Sequence, residues 1–193
     1  MPSLMSAHDR QYQFFETPPH YIAALFSEVN IFGRVYEPCV GEGAIADALR
    51  TLPSVRKVYT NDIDWKRKAD THVDARLIAP FSPAFDWHVT NPPFSDELEI
   101  LQNSLAQCPN VAFLARLSFL EPTEDREEFL SEKPPNQIIV LPRYSFRPND
   151  AGRKQTDSVT CCWLVWFEHR EPRRTRIIGR GASHAEAILR GLV

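Results

Sequence analysis

Val35–Leu49, VYEPCVGEGAIADAL, runs a short apolar segment into a turn holding Gly41 and Gly43 and out into an alanine-rich helical segment. VYEPCV reads as a strand and AIADALRTL as a helix, so the stretch is the first half of a strand–helix–strand unit. Glycines in that turn have no Cβ, which lets a ligand approach the backbone at a helix N-terminus. The G-x-G-x-x-G pattern of a dinucleotide site is incomplete, because position 46 is Ala. Many strand-to-helix turns carry glycine for geometry alone.

The same alternation continues outward. TPPHYIAALFSEV reads as a helix with Pro18 and Pro19 near its start and Ile22, Leu25, Phe26 and Val29 on one face. KVYTND and WHVTN read as strands, DELEILQNSLAQ as a helix and VAFLARL as a further strand. Alternating strands and helices predict a parallel α/β sheet with right-handed crossovers. QIIVLP (Gln137–Pro142) and VTCCWLVWFE (Val159–Glu168) are then separated by a polar loop with no helix, which predicts an antiparallel hairpin at or near the sheet edge. Breakers around SEKPPN predict that 121–136 is a mobile connection. The expected fold is a mostly parallel α/β sheet with a C-terminal antiparallel hairpin, in one domain over 1–193. Its core is 12–168, its candidate substrate loops 121–136 and 143–158, and its basic tail 169–193.

Composition fits one compact domain: 193 residues, 43% hydrophobic and 24% charged. There is no apolar run long enough to span a membrane and no signal segment, so a cytoplasmic protein without membrane contact is expected. Cys39, Cys108, Cys161 and Cys162 form no C-x-x-C pair and the histidines no H-x-x-x-H spacing, so no metal is predicted. Adjacent Cys161 and Cys162 should point to opposite faces of their strand.

Net charge is −3, but its distribution is uneven. Residues 1–142 hold 12 Lys/Arg against 20 Asp/Glu, and 143–193 hold 10 against 5. Arg143, Arg147, Arg153 and Lys154, interleaved with Tyr144 and Phe146, offer phosphate contacts and stacking surfaces, and the EPRRTR run adds further charge. A solvated loop and tail are the plain alternative.

Two further segments carry chemistry. TNDID puts Asp62 about 20 residues after the glycine turn, where such folds use a carboxylate to accept both ribose hydroxyls; the alternative is a solvated strand-end acid. HVTNPPFSD ends a strand on Asn91, Pro92, Pro93 and Phe94, a rigid edge with two acceptors and a flat face that can grip an amino group. A proline-rich strand exit is the structural alternative, and Phe94 by itself would suit core packing.

Taken together, E-P-C-V-G-E-G, N-D-I-D and N-P-P-F resemble the Rossmann-type S-adenosylmethionine-dependent methyltransferases that modify adenine N6 in DNA. The chain is similar to the short enzymes of this kind common in bacteriophages. FETPP upstream resembles the family's N-terminal cofactor motif, which matches the motif order of its gamma group, and the likeness covers most of 12–167. The resemblance implies that Thr17 and Pro18 border the methionine moiety of the cofactor and that Glu37 to Gly43, including Pro38 and Gly41, wrap it. It further implies that Asp62 holds the ribose, Ile63 packs on the cofactor adenine, Asp74 accepts from that adenine's amino group, and Asn91 to Phe94 hold the substrate. The family's sizeable target-recognition region after the catalytic half has little room here.

The chemistry accounts for the choice of residues in NPPF. An exocyclic adenine nitrogen is a poor nucleophile, because its lone pair is delocalised into the ring. The Asn91 side-chain oxygen and the Pro92 carbonyl can take both N–H groups, favour a pyramidal nitrogen and stabilise the positive charge that develops on it. Pro93 stiffens the turn, and Phe94 stacks on a base that has left the duplex. RNA adenine and a protein glutamine amide present a similar planar nitrogen, and a cofactor-binding module without catalysis is the reading from another class.

Overall fold

The computed structural model describes residues 15–81, 84–121, 123–143, 159–167 and, as backbone, 174–177. Its elements run α1 (Pro19–Glu28), β1 (Gly33–Glu37), α2 (Ala44–Arg50), β2 (Val55–Thr60), β3 (Trp87–Thr90), α3 (Glu97–Gln107) and β4 (Val111–Arg116). A 3-10 turn (Leu117–Leu120), α4 (Glu124–Glu132), β5 (Gln137–Val140), β6 (Cys161–Trp166) and β7 (Arg174–Ile177) follow.

One seven-stranded sheet holds them in the order β2-β1-β3-β4-β6-β5-β7. β2, β1, β3 and β4 pair in parallel, β6 is antiparallel to both β4 and β5, and β7 is parallel to β5. The predicted hairpin therefore forms, with β6 inserted beside β4. The chain goes from β1 to one side for β2 and then to the other side for β3, so the strand order reverses at β1/β3, where a crevice opens beyond the carboxyl ends.

Both sheet faces are covered, which is why the central strands read as apolar runs rather than alternating ones. On one face α1 and α2 pack Tyr21, Ile22, Leu25, Ile45 and Leu49 onto Val35, Val89, Leu114 and Trp163. On the other, Ile100 and Leu101 of α3 join Phe113, Phe119, Phe129 and Leu164. Cys161 faces the first cluster and Cys162 the second, as the strand's two-residue period predicts. Tyr21 ties α1 to the sheet at both ends of its residue: its hydroxyl donates to the Pro142 carbonyl at 2.9 Å, and its own carbonyl accepts from Trp163 Nε1 at 2.8 Å.

Gly33 opens β1 at φ 75°, a left-handed conformation that suits glycine. A Cβ there would stand 2.1 Å from Asp86 Oδ2, the atom that accepts the Arg34 backbone N–H at 2.6 Å.

Two expectations change. The 121–136 connection is not a plain loop: it contains α4, anchored by buried Phe129 against Trp166, whose Nε1 donates to the Lys133 carbonyl at 3.0 Å. EDREEFLSE has too few apolar residues for a helical stripe, so this helix depends on its tertiary anchors. Nor is all of 169–193 a tail, because Arg174–Ile177 adds an outer strand along β5. A basic segment at a sheet edge is a usual guard against further strand pairing. Among the described residues no helix is long and apolar enough to cross a membrane.

Candidate active site at the strand ends

β1, β2 and β3 lie side by side and end on Glu37, Thr60 and Thr90, so the segments following them converge. After β1 the chain turns through Gly41 (φ 54°) and Gly43 (φ 94°), and Gly43 caps α2 in a left-handed conformation costly for other residues. After β2 comes Asn61, fully buried and missed as a site residue in the sequence. Its amide nitrogen donates to the carbonyls of Pro38 and Val73, each at 2.9 Å, and its oxygen accepts from Val73 N–H and the Thr71 hydroxyl. This side chain stitches the β1 turn to the 71–74 segment and so aims Asp62 and Asp74 at one cleft.

The cleft is lined by Phe15, Glu16 and Thr17 from the N-terminal segment, Glu37 to Glu42 after β1, Asp62 to Asp64 after β2, Asp74 to Arg76, and Asn91 to Pro93 after β3. Thr17, Glu37, Pro38, Gly41, Asp62, Ile63, Asp74, Asn91, Pro92 and Pro93 are thus brought together. Pro18, Gly43 and Phe94 stand outside the lining. Arg143 is exposed and donates from Nε to the Thr160 hydroxyl at 3.0 Å, and it is not among the residues lining the cleft. Arg147, Arg153 and Lys154 lie outside the described residues.

Acidic groups dominate the cleft. Glu37 is 1% exposed and its Oε2 has no hydrogen-bond partner among the described residues, while burial pushes its carboxyl well above the usual range. An orphaned buried carboxyl oxygen costs about 1–3 kcal/mol unless a ligand satisfies it. Asp62 accepts the Gly41 N–H at 2.8 Å and the Asp64 N–H at 2.9 Å, one on each oxygen; burial raises its pKa against these two bonds. Each oxygen keeps a second lone pair. Ile63 is 51% exposed beside it, an apolar surface open to a flat ring.

Asp74 is gripped by Arg76, whose Nη2 lies 2.6 Å from Oδ2 and whose Nε lies 3.0 Å from Oδ1, and this holds its carboxyl below the usual range. The same guanidinium reaches Asp96 at 3.2 Å. A second arginine, Arg67, bridges Glu42 and buried Asp64. Arg67, Arg76 and Asp96 had no signal in the sequence, since they meet only through the convergence of three loops.

NPPF leaves β3 beside the N-terminal segment. Asn91 Nδ2 donates to the Phe15 carbonyl at 2.9 Å and to the Thr17 hydroxyl at 3.0 Å. The Pro93 carbonyl accepts the Asp96 N–H at 3.2 Å, which turns the chain into α3. The Phe94 ring stacks with Phe15 at 5.6 Å, and the Arg116 guanidinium at the end of β4 lies 4.5 Å from its centroid. Next to it Glu97, 7% exposed and with one oxygen unpartnered among the described residues, is pushed up to about 7 by burial, against the fields of Arg116 and Arg126.

No protein-family model and no curated protein sequence matches the chain. Solved structures do share its architecture. A predicted O-methyltransferase from Agrobacterium tumefaciens superposes with a TM-score of 0.53 at 13% identity, over 85% of each chain. A precorrin-6y C5,15-methyltransferase from Geobacter metallireducens gives 0.55 at 12% identity, over 82% of this chain and 94% of that one. The type IIG restriction endonuclease BpuSI gives 0.56 at 13% identity; the likeness covers 86% of this chain but 27% of the much longer endonuclease. Such identities speak for the fold alone, and the chain has the Rossmann-like fold of these methyltransferases.

Proposed function

We propose that the protein transfers a methyl group from S-adenosylmethionine to the exocyclic N6 amino group of adenine in DNA. The observation that carries this reading is Asn91. Both of its amide hydrogens are spent on the N-terminal segment, so its oxygen is the polar atom that remains for a ligand, next to a Pro92 carbonyl that accepts none of the described backbone bonds. Two acceptors on a rigid edge suit an amino group with two hydrogens.

The cleft's donor set fits the cofactor. Asp62 has lone pairs for the ribose hydroxyls, Ile63 an apolar face for the adenine ring, and Glu37 an unpartnered carboxyl oxygen for the cationic methionine end. S-adenosylmethionine supplies a methyl group on a cationic sulfur, open to in-line attack by a nitrogen lone pair. The chain's own part is positional and electrostatic. Asn91 Oδ1 and the Pro92 carbonyl hold the two N–H groups, turn the lone pair toward the methyl, and stabilise the charge that appears on nitrogen. No strongly basic side chain is needed, and the proton then leaves from an acidic alkylated nitrogen. Thr17, Pro38 and Gly41 shape the methionine end, and Gly43 and Pro18 act behind them, on the turn and on α1. Asp74 serves the cofactor's adenine amino group only by sharing lone pairs already engaged by Arg76.

DNA is favoured as substrate by the basic segments after residue 142, and the likeness to part of a restriction endonuclease is in keeping with it. The test is incubation with the cofactor and, separately, with DNA, RNA and protein, followed by mass spectrometry of the digested products. N6-methyladenine in the DNA arm is expected. Its appearance in RNA alone, a methylated glutamine alone, or cofactor binding without any product would replace this reading with the corresponding one.

A further inference from the structure

An asparagine amide has two ends of nearly equal size and opposite polarity, so a grip that uses its oxygen must also prevent the side chain from turning over. In this protein the restraint comes from 76 and 74 residues upstream. Phe15 offers Asn91 a backbone carbonyl, which can only accept, so the nitrogen must face it. Thr17 offers a hydroxyl, which alone would tolerate either end of the amide; with the carbonyl in place it accepts the second N–H at 3.0 Å. One bond would leave the amide plane free to swing about that contact, whereas two fix it. Thr17 is 5% exposed and precedes Pro18 and Pro19, which lock the entry to α1, so its hydroxyl is itself held firmly.

We infer that Thr17 is a positioning residue for methyl transfer, acting through Asn91 by fixing the amide plane so that Oδ1 faces the amino group of the substrate. This goes beyond a border for the methionine end of the cofactor, and it rests on the reading of Asn91 as the substrate grip. It also gives the N-terminal segment a task at strand ends that already contain the proposed cofactor cleft. Without it the asparagine would sample both orientations, one of which presents hydrogens to the substrate's hydrogens.

The test compares Thr17→Val, which has the same shape but no hydroxyl, with Thr17→Ser, which keeps the hydroxyl. In the cofactor-free protein, the Asn91 side-chain amide, identified in nitrogen-15 spectra by its loss in Asn91→Ala, should exchange its protons slowly in wild type and Thr17→Ser. In Thr17→Val exchange should be faster. In methyl transfer Thr17→Val should lower kcat by about 10- to 100-fold, in the range of a misaligned reacting pair, with the KM for S-adenosylmethionine little changed. Thr17→Ser should restore most of the rate. If Thr17→Val is unstable, Thr17→Ala replaces it in both measurements. Wild-type kcat and wild-type amide protection in the hydroxyl-free variant would overturn the inference. Loss of cofactor affinity matching the loss of rate would also overturn it, by reducing Thr17 to a wall of the cofactor site. A wild-type protein that makes no N6-methyladenine would overturn the DNA reading instead, and the amide measurement would still decide the role of Thr17.

Discussion

The Gly41 backbone N–H donates to Asp62 Oδ2 at 2.8 Å, closing the glycine turn after β1 onto the acid at the end of β2, 21 residues later. The two proposed cofactor elements are thus one unit, with the carboxylate oriented by the turn itself. Asp62→Ala should lose the bonds to the ribose and loosen the turn together. A weakening of S-adenosylmethionine binding by roughly 1.5–3 kcal/mol is expected, the usual range for bonds to a charged acceptor. Titration calorimetry reads this directly, and unchanged affinity would dismiss Asp62 as the ribose acceptor.

Asn91→Ala separates chemistry from binding. It deletes one of the two acceptors and leaves the acids of the cleft intact, so turnover should fall by about 100-fold or more while cofactor affinity changes little. Phe94→Ala should raise the KM for DNA instead, since its ring is not part of the lining of the proposed cofactor cleft and packs against Phe15 and Arg116. Steady-state kinetics on both variants would expose an error here if Asn91→Ala kept near-normal turnover.

Glu97 gives the protein a pH-dependent stability. Its carboxyl moves from an ordinary value of 4.5 to about 7 on folding, because burial disfavours the charged form. Its contribution is complete below about pH 4.5 and is lost as pH rises through about 7, where a buried carboxylate must charge. Glu97→Gln should therefore raise Tm relative to wild type more at pH 8 than at pH 4.5, by about 2–4 °C for each kcal/mol relieved in a domain of this size. Melting curves at the two pH values test it; a gap of the same size at both would remove the titration argument.

The basic segment that follows β5 in the sequence is the proposed DNA holder. Replacing Arg147, Arg153 and Lys154 together with Gln should weaken DNA binding on all sequences and flatten its salt dependence by up to about 0.9 per lost phosphate contact. Cofactor affinity should not move, and site preference should change little, because charge contacts position a duplex without reading bases. A binding series over several salt concentrations decides it. Coincident lines for wild type and variant would shift attention to the segment around Arg174, whose backbone forms the outer strand.

Much of this architecture was legible in the linear chain because its signals are local. Alternation of apolar strands with helices, the glycine turn at Gly41 and Gly43, and the absence of a helix between QIIVLP and VTCCWLVWFE follow from spacing and from backbone chemistry alone, and they led to the parallel sheet and its antiparallel hairpin. Asp62 and Asn91 could be singled out for the same reason, as each ends a strand in a recognisable turn. The remaining features are non-local. Helix α4 depends on one buried phenylalanine and an indole bond from β6, β7 on the free edge of β5, and neither leaves a periodic trace in a charged segment. The cleft's arginines and the burial that raises Glu37 and Glu97 arise where loops after different strands meet. The orientation of Asn91 is the clearest case: local spacing already puts an asparagine just after β3. Which end of its amide faces the N-terminal segment was decided by a carbonyl and a hydroxyl from residues 15 and 17, because a planar group with two alike ends is oriented only by the partners that surround it.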